Sequence, residues 1–179
     1  MKSKYNKICL AMLIIISASA FTSCKEDDDD EFAMSNQAFV NNASSSNNFE
    51  IAAGTMAVTK GQDDDVKHYG EHMVTDHSAA GVEMKALADR EGWIVPAATD
   101  LMAKHKQNLD ILAAASSSDF DKKFAQIMVE SHQEAVNLFE TASKARGIPD
   151  ADLRAFATGK LPTLRAHLQE AIELKAAVD

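Results

Sequence analysis

Apolar positions recur at helical spacing from about residue 36 to the end of the chain, and Gly, Pro and short polar clusters cut that rhythm into segments. A first helix is expected over about 36–60, with Phe39, Ala43, Phe49, Ala53 and Met56 facing a core. The run SSSNN at 44–48 interrupts its stripe, so a kink or break is expected there. Gly61 ends the segment, and Asp63 to Asp65 offer an N-cap and negative charge to the next helix start. That second helix, about 63–90, carries Val66, Tyr69, Met73, Ala80, Met84 and Leu87 on one side, and Gly92 stops it. After the loop WIVPAAT, Thr99 is placed to cap a short helix near 100–115 with Leu101, Leu109 and Leu112. Ser118 and Asp121 then have the spacing of a capping box. The helix at 119–146 puts Phe120, Phe124, Ile127, Met128, Ala135, Leu138 and Phe139 on one face, and Gly147 and Pro149 end it. Asp150 starts the last helix, about 150–178, with Leu153, Phe156, Leu161, Leu164, Leu168, Ala171 and Leu174. Pro162 inside it is expected to bend it or delay its regular part.

Four long helices with one apolar stripe each must bury those stripes against one another. Short connections make neighbours antiparallel, and the short helix lengthens one crossover. The expected fold is therefore all-α: a ferritin-like four-helix bundle with one additional short helix, occupying residues 35–179. A domain of about 150 residues buries roughly 68–70% of its unfolded surface, enough for a core of its own.

The stripes are not wholly apolar. His77 lies four residues after Met73 and three before Ala80; His132 lies four after Met128 and three before Ala135; His167 lies three after Leu164 and four before Ala171. Glu50 stands beside Phe49, three before Ala53. Each long helix thus carries one polar group on or beside its buried side. All four lie near mid-helix, roughly 20–25 Å from the start at ~1.5 Å per residue. In an antiparallel bundle, midpoints share a layer. Three imidazoles and one carboxylate in one layer suit a mononuclear zinc or iron site; the same groups could instead satisfy one another as a polar network. Asp76, next to His77, and Glu170, three after His167, are second-choice ligands. Val74, Val129 and Leu164 precede the three histidines by three positions, so no Glu-x-x-His pair exists there and a di-iron centre is not supported.

Two further histidine groups are expected at the surface. His68, His72 and Asp76 are spaced i, i+4, i+8, a chelating arrangement on an otherwise polar face, and His105 stands between Lys104 and Lys106. No phosphate loop or haem motif is present, and no catalytic residue set is read from the chain.

The N-terminal end gives an address. Lys2, Lys4 and Lys7 precede the apolar run ICLAMLIII at 8–16, which is far shorter than the ~20 residues needed to span a bilayer. Small residues follow, the build of a secretory signal over residues 1–23. The junction FTSC resembles a bacterial lipoprotein signal, with Phe21 where Leu is usual; the lipid-bearing residue would be Cys24. With Cys9 removed in the signal, Cys24 is the one cysteine left, so no disulfide framework supports the domain. The tether at 24–34 contains KEDDDDE, six of its seven residues acidic, which repels itself and stays extended. Acidic runs behind a lipid-bearing cysteine also resemble surface-export signals of one group of gram-negative lipoproteins. The expected location is the outer membrane, facing the periplasm or the cell surface, with lipid on Cys24 as the membrane contact. Removing the signal makes the formal charge of −9 more negative by three. That balance, without a basic cluster, argues against nucleic acid as a partner.

The stretches VKHYGEHMVTDHSAA, FDKKFAQIMVESHQEAVNLFE and AFATGKLPTLRAHL resemble the signature segments of the exported bacterial family called domain of unknown function 4142. The likeness rests on Asp76-His77, on Phe120-Asp121 with His132, and on Leu161-Pro162 with His167, and covers about residues 35–175. Glu50 corresponds to the family's first-helix acid. The resemblance implies a ferritin-like helical bundle and the pairing of these residues; it implies no reaction. Two functions follow from the sequence: an envelope lipoprotein whose helical domain binds a protein or cell-surface partner without catalysis, and a metal-binding bundle for storage, sensing or stress protection. A small apolar ligand held between the helices is a third.

Overall fold

The computed structural model describes residues 31–179; the signal segment, Cys24 and most of the acidic tether lie outside that range. Five helices follow in order: α1 Asn36–Lys60, α2 Asp64–Glu91, α3 Ala103–Ala114, α4 Ser117–Ser143 and α5 Ala151–Val178. No strand is present among the described residues.

The starts of three long helices are capped by short polar side chains. Ser35 Oγ accepts the Ala38 N–H at 3.1 Å, Asp63 accepts from Asp65, and Asp150 accepts from Leu153 at 2.8 Å. Each satisfies a donor that the first turn would otherwise leave orphaned. Gly92 closes α2 in the left-handed region at φ 76°, where a side chain would be strained.

The apolar stripes condense into two clusters stacked along the bundle. One holds Phe49, Val66, Tyr69, Met73, Phe120, Phe124, Met128 and Leu174; the other holds Phe39, Met84, Leu87, Phe139, Leu153, Leu161 and Leu164. Helices α1 and α5 run from the second cluster to the first, and α2 and α4 run the opposite way. The pairs α1–α2 and α4–α5 are therefore antiparallel hairpins. The long connection between α2 and α4, which contains α3, returns the chain along the bundle. This is the expected single-crossover, ferritin-like arrangement.

Several local expectations are corrected. The SSSNN stretch does not break α1, which is continuous. Ser44, Ser45 and Ser46 are buried, and their small side chains let the crossover approach. Ser45 Oγ accepts the Met102 N–H at 2.8 Å and pairs with His105 Nδ1 at 2.8 Å. His105 is consequently buried and stacked on Phe49, not exposed among its lysines. The short helix starts at Ala103 with Met102 as its cap, so Thr99 plays no capping part. No capping box forms at Ser118 and Asp121 either. Ser116 is the N-cap of α4, and Asp121 instead accepts the backbone N–H groups of Gln62 and Asp63 at 3.1 and 2.9 Å, clamping the α1–α2 turn. α5 remains helical through Pro162. Pro162 and Thr158, whose carbonyl it leaves without an intrahelical donor, are both exposed, so water can satisfy that group.

Candidate metal centre

The boundary between the two core clusters is a polar layer. In α2, His77 falls between Met73 of one cluster and Met84 of the other; in α4, His132 falls between Met128 and Ala135; in α5, His167 falls between Leu164 and Ala171. The three rings meet at the bundle axis with centroids 5.8, 5.5 and 5.5 Å apart, nearly an equilateral triangle. All three are buried, and one ring nitrogen from each lies within 4.8 Å of the other two.

Each ring is held by its other nitrogen. His132 Nδ1 donates to the Met128 carbonyl at 3.0 Å, His167 Nε2 to Asp76 Oδ2 at 3.0 Å, and His77 Nδ1 to Asn47 Oδ1 at 3.2 Å. A carbonyl or carboxylate oxygen can only accept, so the anchored nitrogen of each ring carries the proton. The opposite atoms, His77 Nε2, His132 Nε2 and His167 Nδ1, have no hydrogen-bond partner. In neutral rings those atoms are bare lone pairs. Burial makes the neutral form the stable one. It drives His77 well below its ordinary value, with further depression from His132 and His167; it takes His132 down to about 4; and it lowers His167, aided by His132 and opposed by Asp76.

Three lone pairs facing one buried spot repel one another and lack the hydrogen bonds that burial normally demands. A cation at their centre removes both problems. Metal–imidazole bonds of about 2.0–2.1 Å in tetrahedral geometry need nitrogens ~3.4 Å apart, so the rings would close inward by roughly an ångström. The oxygens on their far nitrogens are the partners that orient metal-binding histidines and raise their basicity.

Glu50 is placed differently from the expectation that grouped it with the rings. It is fully buried in the same layer, but its Oε1 lies 3.8 Å from His132 Nδ1, the anchored nitrogen, and it is not part of the set within 4.8 Å. Neither carboxylate oxygen has a hydrogen-bond partner. Burial raises its carboxyl to about 8, with Ser131 and His167 pulling in the other direction. It is thus a protonated acid at neutral pH that can ionise beside a cation. Asp76 acts through the ring nitrogen of His167, as above, and Glu170 faces His72 at 3.9 Å. Asn47 lies inside the polar run SSSNN, which hides it as a site residue in the sequence. Its three-residue offset from Glu50 was the available signal. A Cβ on Gly81 would stand 3.0 Å from Asn47 Nδ2, so a glycine there leaves room for this amide.

A cleft of about 580 Å³ reaches this layer from the surface. His77, His167 and their anchors Asn47 and Asp76 line it, together with apolar side chains such as Met84 and Phe139.

The chain matches the family described as "Domain of unknown function (DUF4142)" over residues 22–174. Among curated proteins none matches. Among solved structures, "CopM in the Cu(II)-bound form" is similar in fold, with a TM-score of 0.65 over 80% of this chain and 97% of that one, at 19% sequence identity.

Proposed function

The chain belongs to the DUF4142 family, a domain of unknown function, and for this member we propose a transition-metal-binding role, with one ion held by His77, His132 and His167. The observation that carries it is the convergence of three buried rings, each offering a nitrogen within 4.8 Å of the other two, each fixed through one nitrogen by an oxygen acceptor and each left with the other nitrogen unpartnered. A purely structural network, in which Asp76 or Glu50 accepts from the rings, accounts for the His167–Asp76 bond but leaves His77 Nε2, His132 Nε2 and His167 Nδ1 without partners. Neutral imidazoles favour zinc, copper or iron over magnesium or calcium. The fold neighbour was solved with Cu(II), which adds copper to the zinc and iron suggested by the donor set. Glu50 would ionise to offset the ion's charge, and Asn47, Asp76 and the Met128 carbonyl would hold the rings. The role is to hold and release metal for storage, sensing or stress protection. We place it at the cell envelope, on the acidic tether behind a lipid-bearing Cys24.

The test is elemental analysis of the protein after incubation with zinc, copper or ferrous iron and gel filtration. One equivalent of ion that withstands a weak chelator is expected, and His77→Ala, His132→Ala and His167→Ala should each remove it. Trace metal at every pH where imidazole is neutral, or equal retention in the three variants, overturns the reading.

A further inference from the structure

A second group of imidazoles lies outside the buried layer. His68 and His72 are one turn apart on α2, with ring centroids 4.3 Å apart and side chains 68% and 48% exposed. Residues four apart share a helix face, so both rings can turn toward a common point in solvent. A carboxylate approaches each. Glu71 Oε2 is 3.8 Å from His68 Nδ1, and Glu170 Oε2, from α5, is 3.9 Å from His72 Nδ1. Both distances exceed a hydrogen bond, so these contacts leave the ring nitrogens available. Two exposed imidazoles on one helical face, with an acid from the facing helix beside one of them, supply N₂O donors that suit zinc, nickel or copper ions once the side chains rotate together.

The position of this group gives it meaning. One more turn along the same ridge stands Asp76, whose carboxylate holds His167 of the buried layer at 3.0 Å. Metal-competent side chains thus continue from the open surface to the wall of the interior site. We propose that His68, His72 and Glu170 form a second, exposed site for a divalent transition-metal ion, distinct from the buried one and rapidly exchanging with solvent. The site does not depend on the buried triad, since it shares no ligand with it.

Copper(II) titration of the tag-free chain at neutral pH, followed by calorimetry and by the imidazole signature in the electron paramagnetic resonance spectrum, tests this. The expected result is that the double variant His68→Ala/His72→Ala loses one equivalent of the faster-exchanging ion. His72→Ala alone should weaken that equivalent by about a hundredfold, because a two-point chelate becomes a single contact. Glu170→Gln should weaken it less. Both rings are exposed, so circular dichroism should be unchanged. In His77→Ala/His132→Ala the exposed equivalent should persist. If wild type binds one ion that vanishes in the His68/His72 variant and survives in the His77/His132 variant, the exposed site stands and the buried one falls. Unchanged stoichiometry and affinity in His68→Ala/His72→Ala overturns the exposed site.

Discussion

Glu50 and the three histidines set opposite pH dependences on the metal-free domain. The imidazoles are depressed from 6.5, so their contribution to stability is complete above 6.5 and is lost as pH falls through the folded values, about 4 for His132. Glu50 is raised from 4.5 to about 8, so its contribution is complete below 4.5 and is lost as pH rises toward 8. Between 4.5 and 6.5 the effects oppose, and three imidazoles outweigh one carboxyl. Above 6.5 Glu50 acts alone among the four. Thermal melts in chelator should therefore peak near pH 6.5, and Glu50→Gln should flatten the decline from there to pH 8. A Glu50→Gln variant that declines as steeply as wild type would show the carboxyl ionised throughout. The histidine layer was legible because each imidazole interrupts an apolar stripe at mid-helix, and antiparallel packing brings midpoints together. The place of Glu50 was not. A residue's height along a helix fixes its layer but not which side of a neighbouring ring it meets.

At the level of elements, the α1–α2 hairpin is drawn tight at two glycines. A Cβ on Gly54 would lie 2.7 Å from the Gly70 carbonyl oxygen, and one on Gly70 would lie 2.7 Å from the Gly54 oxygen and 2.8 Å from Ala57 Cβ. Neither backbone can yield without separating the helices. Alanine normally gains ~1 kcal/mol over glycine within a helix, but overpacking costs about 1–3 kcal/mol. Gly70→Ala should thus be destabilising, whereas Gly159→Ala, with nothing within 4 Å, should stabilise by about 0.5–1 kcal/mol. Urea unfolding of both variants decides the matter; equal stabilisation would mean that the helices are free to part. Helix existence and order were readable from periodicity and punctuation. What was misread depends on contacts between elements distant in sequence. Ser45 looked like a helix breaker until Met102 and His105 came to it, and Asp121 looked like a local cap until the α1–α2 turn supplied better donors. A polar side chain's local options are visible in sequence, but a partner more than fifty residues away is not.

For the whole molecule, the question is what would hold it at a membrane. Among the described residues no helix is long and apolar enough to cross one. The formal charge of −9, which includes the acidic run before the bundle, repels anionic headgroups. Acyl chains on Cys24 are the attachment proposed here. Each buried CH₂ supplies about 0.8 kcal/mol, and more than one acyl chain is needed for lasting anchorage. Cys24 is the one thiol that would remain after signal removal. Cells fed an alkyne-bearing fatty acid should label the wild-type protein and leave Cys24→Ser unlabelled. The labelled form should stay with membranes through a high-salt wash, because screening weakens charge-mediated attachment and leaves acyl burial intact. Label retained in Cys24→Ser, or release of wild type by salt alone, would refute lipid anchorage at this residue. It would also remove the reason for placing the metal site at the envelope, while leaving the three ring nitrogens, and the ion they are arranged to receive, unaffected.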